Sequence, residues 1–117
     1  MMKLIIAVKR KPGFTREQFI EYLSETHAAI VRGCPASHRY VRKYVQSYTL
    51  QIGIDGKPME PSLQEYDAVS ELWFDSIEDV KSFFSDPEYL ASVHPDEARF
   101  SDRDKCVFFI TEERQII

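Results

Sequence analysis

Three histidines and one acidic pair are the residues of this chain whose types suit acid–base chemistry. His27 lies within a run of helical periodicity, whereas His38 and His94 lie on other elements far along the chain. An imidazole exchanges protons near neutral pH, and the adjacent carboxylates Asp96 and Glu97 can serve as a general acid–base pair. Histidines this dispersed lack the spacing of a metal site, so the sequence disfavours a metal.

Other kinds of catalytic site find no support in the sequence. The chain has only four glycines, well spread, and it contains neither a glycine-rich phosphate loop nor a G-x-S-x-G nucleophile elbow. Cys34 and Cys106 form no C-x-x-C motif and have no base near them in sequence. We therefore predict reduced thiols in a cytoplasmic protein, no thiol nucleophile and no bound cofactor.

The segment Phe14–Gly33 positions His27 and reads as one amphipathic helix. Thr15 and Gln18 form a T-x-x-Q capping box at its start, and Gly33 predicts a left-handed exit at its end. At about 100° per residue His27 falls on the apolar side of this helix. Two interpretations stay open: a buried structural histidine bonded to its surroundings, or an imidazole in a pocket between helix and sheet.

Two interpretations are also open for Asp96, which lies in the acidic stretch 96–104. We predict this stretch to be a loop because His94 and Pro95 end the preceding helix. In such a loop Asp96 either contributes to acid–base chemistry or simply caps a turn and pairs with Arg99 or Arg103.

The order of the predicted elements is β-α-β-β-α-β, which is the ferredoxin-like plan of the α+β class. It places an antiparallel sheet under helices on one face, in a single domain over residues 1–117. The predicted strands span 3–9, 38–52, 66–75 and 105–112. The predicted helices span 14–33, a segment from Ser76 to Phe84, and a short segment from Asp86 to His94, with a loop at 34–37 and a mobile excursion at 53–64.

Aromatic residues on the strands are the candidates for binding a ligand. Tyr40 and Tyr44 share one face of the predicted second strand, and such an aromatic and polar face suits a pocket wall. Trp73 lies on the third strand, where a core or interface position is the alternative. A pocket with such walls and one imidazole would take a small apolar or aromatic compound.

The composition of the chain limits the kinds of molecule that it could bind. A net charge of −4 and a pI of about 5.4 argue against nucleic acid or an anionic membrane surface. No stretch approaches the roughly 20 apolar residues of a membrane span. The first and last strands are apolar on both faces, although the chain's helices cover one face only. We therefore predict a homodimer that packs sheet against sheet.

The chain resembles the EthD family. The resemblance rests on an ordered set of segments over nearly the whole chain: VKRKPGFTREQFIEYLSETHAAIV, HRYV, ELWFDS, DPEYL, PDEARF and VFFITEE. It implies a dimeric α+β barrel and a pocket between helices and sheet, with His27 at a position used for proton transfer. It also implies that Asp96 and Phe100 belong to a D-E-x-x-F element near the pocket mouth.

Two functions remain open on this resemblance, which extends to a methylmuconolactone methylisomerase and to fungal polyketide decarboxylase or dehydratase proteins. The first is a cofactor-independent enzyme, an isomerase, dehydratase, decarboxylase or monooxygenase-like protein, with His27 as general acid–base. Tyr40, Tyr44 and Trp73 would then line its cavity. The second is a binding or accessory protein for an oxygenase system such as ethyl tert-butyl ether degradation, in which His27 has no catalytic role.

Overall fold

The computed structural model describes all residues from Met1 to Ile117. Four antiparallel strands form one sheet in the order β2-β3-β1-β4, the ferredoxin-like arrangement that the sequence predicts. The strands are β1 (Met2–Val8), β2 (Lys43–Tyr48), β3 (Ala68–Phe74) and β4 (Val107–Glu112). Alternate residues of β3 are buried, which fixes one face of the sheet toward the helices.

The helices lie on that face of the sheet. The first helical rod begins at α1 (Arg16–Glu21), passes through a π-helical turn (Tyr22–His27) and ends with α2 (Ala28–Gly33). The others are α3 (Pro35–Tyr40), α4 (Ile77–Ser85) and α5 (Pro87–Phe100), with short 3-10 helices at Pro61–Leu63 and Arg103–Lys105. None of these helices has the length and apolar character needed to cross a membrane.

Local signals set the start of the first rod. Thr15 accepts a hydrogen bond from the Gln18 backbone N–H, and the Gln18 side chain accepts one from the Thr15 N–H, so the predicted capping box is present. The predicted left-handed exit at Gly33 is wrong. Only Gly13 and Gly56 have positive φ, and the rod ends at Cys34 in an extended conformation.

The first helical rod ends before Pro35, but residues 35–40 form a helix where a loop at 34–37 was predicted. Pro35 opens α3, where the first position of a helix tolerates a missing N–H. The second strand therefore begins only at Lys43, and Tyr40 lies on a helix. Pro95 lies inside α5, which continues to Phe100, so the predicted loop from Asp96 is wrong over its first half.

The core between sheet and helices divides into two clusters. The smaller cluster contains Phe19, Leu23 and Phe100 from the helices and Val8 and Ala68 from the sheet. Full burial of such a phenylalanine contributes about 1.5–3 kcal/mol to folding. Because the Phe100 ring of α5 packs against Phe19 of the first helical rod, this cluster fixes α5 and the rod relative to each other.

Candidate active site

The π-helical turn Tyr22–His27 positions both of its end residues toward α5. Residues five apart point about 140° away from each other around an α-helix. A π turn closes its hydrogen bonds between residues five apart, which brings Tyr22 and His27 toward the same side. Both side chains consequently reach Asp96 on α5.

Asp96 is held between these two residues. His27 Nδ1 lies 2.8 Å from Asp96 Oδ2, and the Tyr22 hydroxyl donates to Asp96 Oδ1 at 2.6 Å. Asp96 is 1% exposed and His27 6% exposed, with the Phe100 ring centroid 4.7 Å from the imidazole centroid. Burial and then the hydrogen bond to Asp96 raise the pKa of Tyr22, so its hydroxyl remains a donor.

The carboxylate determines which nitrogen of His27 is free. An ionised carboxylate only accepts, so we assign the imidazole proton to Nδ1. Nε2 then carries the lone pair. It forms no hydrogen bond with the protein and is not among the fully buried unpartnered atoms, and His27 lines a cavity. An imidazole held in this way can accept a proton at Nε2.

The cavity lies between the helices and the sheet. Its empty space, the open mouth included, is about 590 Å³, and 13 of the 18 residues around it are hydrophobic. A mostly hydrophobic lining with a few polar groups suits a small apolar or aromatic compound. On the sheet side the Tyr44 hydroxyl accepts from Gln46 Nε2 at 2.9 Å, which leaves its own proton free to donate. Burial raises the pKa of Tyr44, so that proton is retained.

A second polar group lines the same cavity. The Tyr89 hydroxyl donates to Glu97 Oε1 at 2.7 Å, and Arg103 Nη2 lies 3.2 Å from Glu97 Oε2. Arg103 Nη1 also lies 3.2 and 3.3 Å from the two ring nitrogens of His94. The cavity therefore has a histidine–carboxylate pair at one place and a carboxylate–guanidinium pair at another.

Of the six site residues predicted from the sequence, His27, Tyr44 and Phe100 line this cavity, and Asp96 lies directly behind His27. Tyr40 and Trp73 lie outside it. Tyr40 ends α3, where it packs against the core.

Trp73 lies on the sheet face away from the helices. Lys3 and Lys43 place their ammonium groups 5.1 and 4.8 Å from its ring centroid, and its Nε1 donates to Glu113 at 2.8 Å.

Sequence reasoning did not assign functions to Tyr22, Tyr89 or Arg103. Tyr22 looked like an ordinary member of an apolar stripe, because nothing in the sequence signals a π turn. Tyr89 and Glu97 lie eight residues apart on one helix, and only a helix that continues through Pro95 could have indicated their contact. No three His, Cys, Asp or Glu side chains come together in a way that could hold a metal ion.

A protein-family model and two fungal proteins match this chain over most of its length. A family model described as the EthD domain matches residues 11–104. The chain is 30% identical over 115 residues to the conidial pigment biosynthesis dehydratase EthD of Metarhizium robertsii, with 94% of this chain and 80% of that protein covered. It is 24% identical over 115 residues to the dehydratase aurZ of Gibberella zeae, with 92% and 73% covered.

Solved structures agree with the fold. An ethyl tert-butyl ether D (EthD) family protein from Bacillus halodurans aligns with a TM-score of 0.68 at 21% identity, over 97% of this chain and 100% of that one. A dimeric protein with a ferredoxin-like fold from Bacteroides fragilis aligns with a TM-score of 0.64 at 17% identity, over 96% and 95%. Identities this low bear on the fold alone.

Proposed function

The chain belongs to the EthD family, and we propose that it removes water from a small cyclic or aromatic hydroxy-carbonyl compound without a cofactor. The observation that carries this proposal is the His27–Asp96 pair, with Nδ1 held by a buried carboxylate and Nε2 unbonded on a residue that lines an apolar cavity. The two fungal relatives named as dehydratases support this type of reaction.

The proposed elimination uses His27 as base and then as acid. Nε2 takes a proton from the carbon beside the carbonyl, and the C–H electron pair forms a double bond as the C–O bond of the β-hydroxyl breaks. The protonated Nε2 gives its proton to the departing oxygen, which leaves as water. Asp96 stays ionised and stabilises the imidazolium, while the Tyr44 hydroxyl donates to the carbonyl oxygen where negative charge develops.

A bicyclic β-hydroxyketone tests the proposal. β-Hydroxy-α-tetralone loses water to give α-naphthol, whose formation is followed by fluorescence. Replacing His27→Gln should lower turnover by roughly 10²-fold or more while α-naphthol still binds. The matched control is His38→Gln, an exposed histidine outside the cavity. Turnover that survives His27→Gln unchanged would show that His27 is not the base.

A non-catalytic function is the second candidate. The chain would hold a small apolar compound, or assist an oxygenase system such as one for ethyl tert-butyl ether degradation. The mostly hydrophobic lining of the cavity favours it, since such walls bind without reacting. Wild-type protein that binds α-naphthol but dehydrates no β-hydroxyketone would support this candidate against the enzyme.

A homodimer through the uncovered sheet face is part of the proposal. Val107 and Phe109 of β4 lie on the uncovered face, where they pair with Ala7 and Ile5 of β1, and they are 40% and 46% exposed. The structural neighbour from Bacteroides fragilis is described as dimeric, which supports a second copy as the partner.

Light scattering tests the dimer. Wild-type protein should have twice the 13.7 kDa mass of one chain, and Phe109→Lys should reduce it to that of one chain. Leu63→Lys is the control, because Leu63 is 72% exposed on a separate 3-10 helix. A wild-type monomer at micromolar concentration would contradict the proposal.

A further inference from the structure

Three buried side-chain atoms of the protein have no hydrogen-bond partner: Ser37 Oγ, Gln64 Oε1 and Glu97 Oε2. Of these residues only Glu97 lines the cavity beside His27. A buried carboxylate oxygen without a donor is costly, and such an atom in a native fold calls for an explanation. Glu97 lines the cavity, so a bound compound can supply this donor once the Arg103 side chain beside Oε2 moves.

The other contacts of Glu97 hold its carboxylate in place. Tyr89 donates to Oε1 at 2.7 Å, and burial followed by the charge of Glu97 raises the pKa of Tyr89, so this hydroxyl stays a donor. Arg103 Nη2 is 3.2 Å and His94 Nδ1 3.7 Å from Oε2, close enough for ion pairs, but neither donates a hydrogen bond to it. One carboxylate oxygen is thus fixed, and the other lacks an aligned donor.

We propose that Glu97 determines specificity by accepting a hydrogen bond at Oε2 from a hydroxyl of the bound compound. The inference rests on the cavity being the ligand site of the proposed function. The hydroxyl inserts between Oε2 and Nη2, where it donates to the carboxylate and accepts from Arg103. The Arg103 side chain is 37% exposed and has room to shift. The preferred compounds therefore carry a hydroxyl besides the one that is eliminated.

Methylation of that hydroxyl provides the sharpest probe. We compare a dihydroxynaphthalene, with one hydroxyl on each ring, with its monomethyl ether by titration calorimetry. Wild-type protein should bind the diol roughly tenfold more tightly or better, because a hydrogen bond to a charged acceptor is lost in the ether.

Glu97→Gln should reduce or abolish this preference. The glutamine places either an amide N–H₂, which cannot accept, or a neutral carbonyl oxygen, which accepts more weakly than a carboxylate, at the position of Oε2. The matched control Glu65→Gln, at an exposed residue outside the cavity, should retain the roughly tenfold preference. Should Glu97→Gln fail to fold, Tyr89→Phe removes the hydroxyl that orients the carboxylate and should also reduce the preference.

Equal binding of the two compounds by wild-type protein overturns the inference, and so does a preference that persists undiminished in Glu97→Gln. The proposed dehydration fails separately. His27→Gln should keep the preference for the diol while losing turnover of β-hydroxy-α-tetralone. A wild-type protein that prefers the diol through Glu97 but dehydrates nothing would leave this inference standing and remove the enzymatic proposal.

Discussion

Asp96 and Glu97 are neighbours on α5 with the same charge, yet their surroundings differ. Asp96 is 1% exposed and receives a donor on each oxygen, from His27 and Tyr22. Glu97 receives one aligned donor, from Tyr89, and its other oxygen has none. A carboxylate that accepts at both oxygens holds its two donors in place, as Asp96 does for His27 and Tyr22. One with an unused acceptor is suited to bind what enters the cavity.

Replacing each carboxylate by alanine should show the difference between them most clearly, in the free energy of unfolding. Asp96→Ala leaves the buried His27 Nδ1–H and the Tyr22 hydroxyl without their acceptor, so we expect a loss of about 3 kcal/mol or more in the free energy of unfolding. Glu97→Ala leaves the buried Tyr89 hydroxyl without its acceptor but also removes an unsatisfied atom, so we expect a smaller loss of about 1–2 kcal/mol. Urea denaturation measures both values. Similar losses in the two variants would mean that both carboxylates are structural supports.

The parts of the fold that sequence reasoning reproduced depend on local signals. The Thr15–Gln18 capping box operates within one turn, so it can be recognised without tertiary structure. Alternation along β3 likewise indicates which residues face the helices. These signals sufficed to derive the element order and to place His27 on the covered side of the sheet.

The geometry of the site depends on departures from regular patterns, and these were not predictable. The π turn between Tyr22 and His27 changes the direction of both side chains, but helical periodicity assumes regular spacing. Pro95 removes one backbone donor, which normally ends a helix. Here α5 continues to Phe100, whose buried ring packs on the first rod, so tertiary packing outweighs the local preference. Asp96 thereby moves from a predicted loop to the centre of the site.

Removal of the Tyr22 hydroxyl tests how much the fixed support contributes. Tyr22→Phe removes the 2.6 Å bond to Asp96 Oδ1 and keeps the ring against Phe100. We expect a loss of about 1–2 kcal/mol in the free energy of unfolding, since the acceptor is charged and buried. Tyr66→Phe is the matched control, because the Tyr66 hydroxyl makes no hydrogen bond and only its backbone oxygen accepts. If the two variants are equally stable, Asp96 does not need Tyr22.

Alkaline titration tests the surroundings of Glu97 through Tyr89. Burial and the nearby Glu97 charge raise the pKa of Tyr89 above its ordinary value of 10.0. Above pH 10 the unfolded chain releases this proton while the folded chain keeps it. Stability that is fully present below pH 10 therefore falls as the pH rises toward the folded pKa. Tyr89→Phe has no such proton. Over the first pH unit above 10, its free energy of unfolding should therefore fall by about 1 kcal/mol less than that of wild type. Parallel pH profiles of wild type and variant would mean that burial and the Glu97 charge do not hold this hydroxyl protonated.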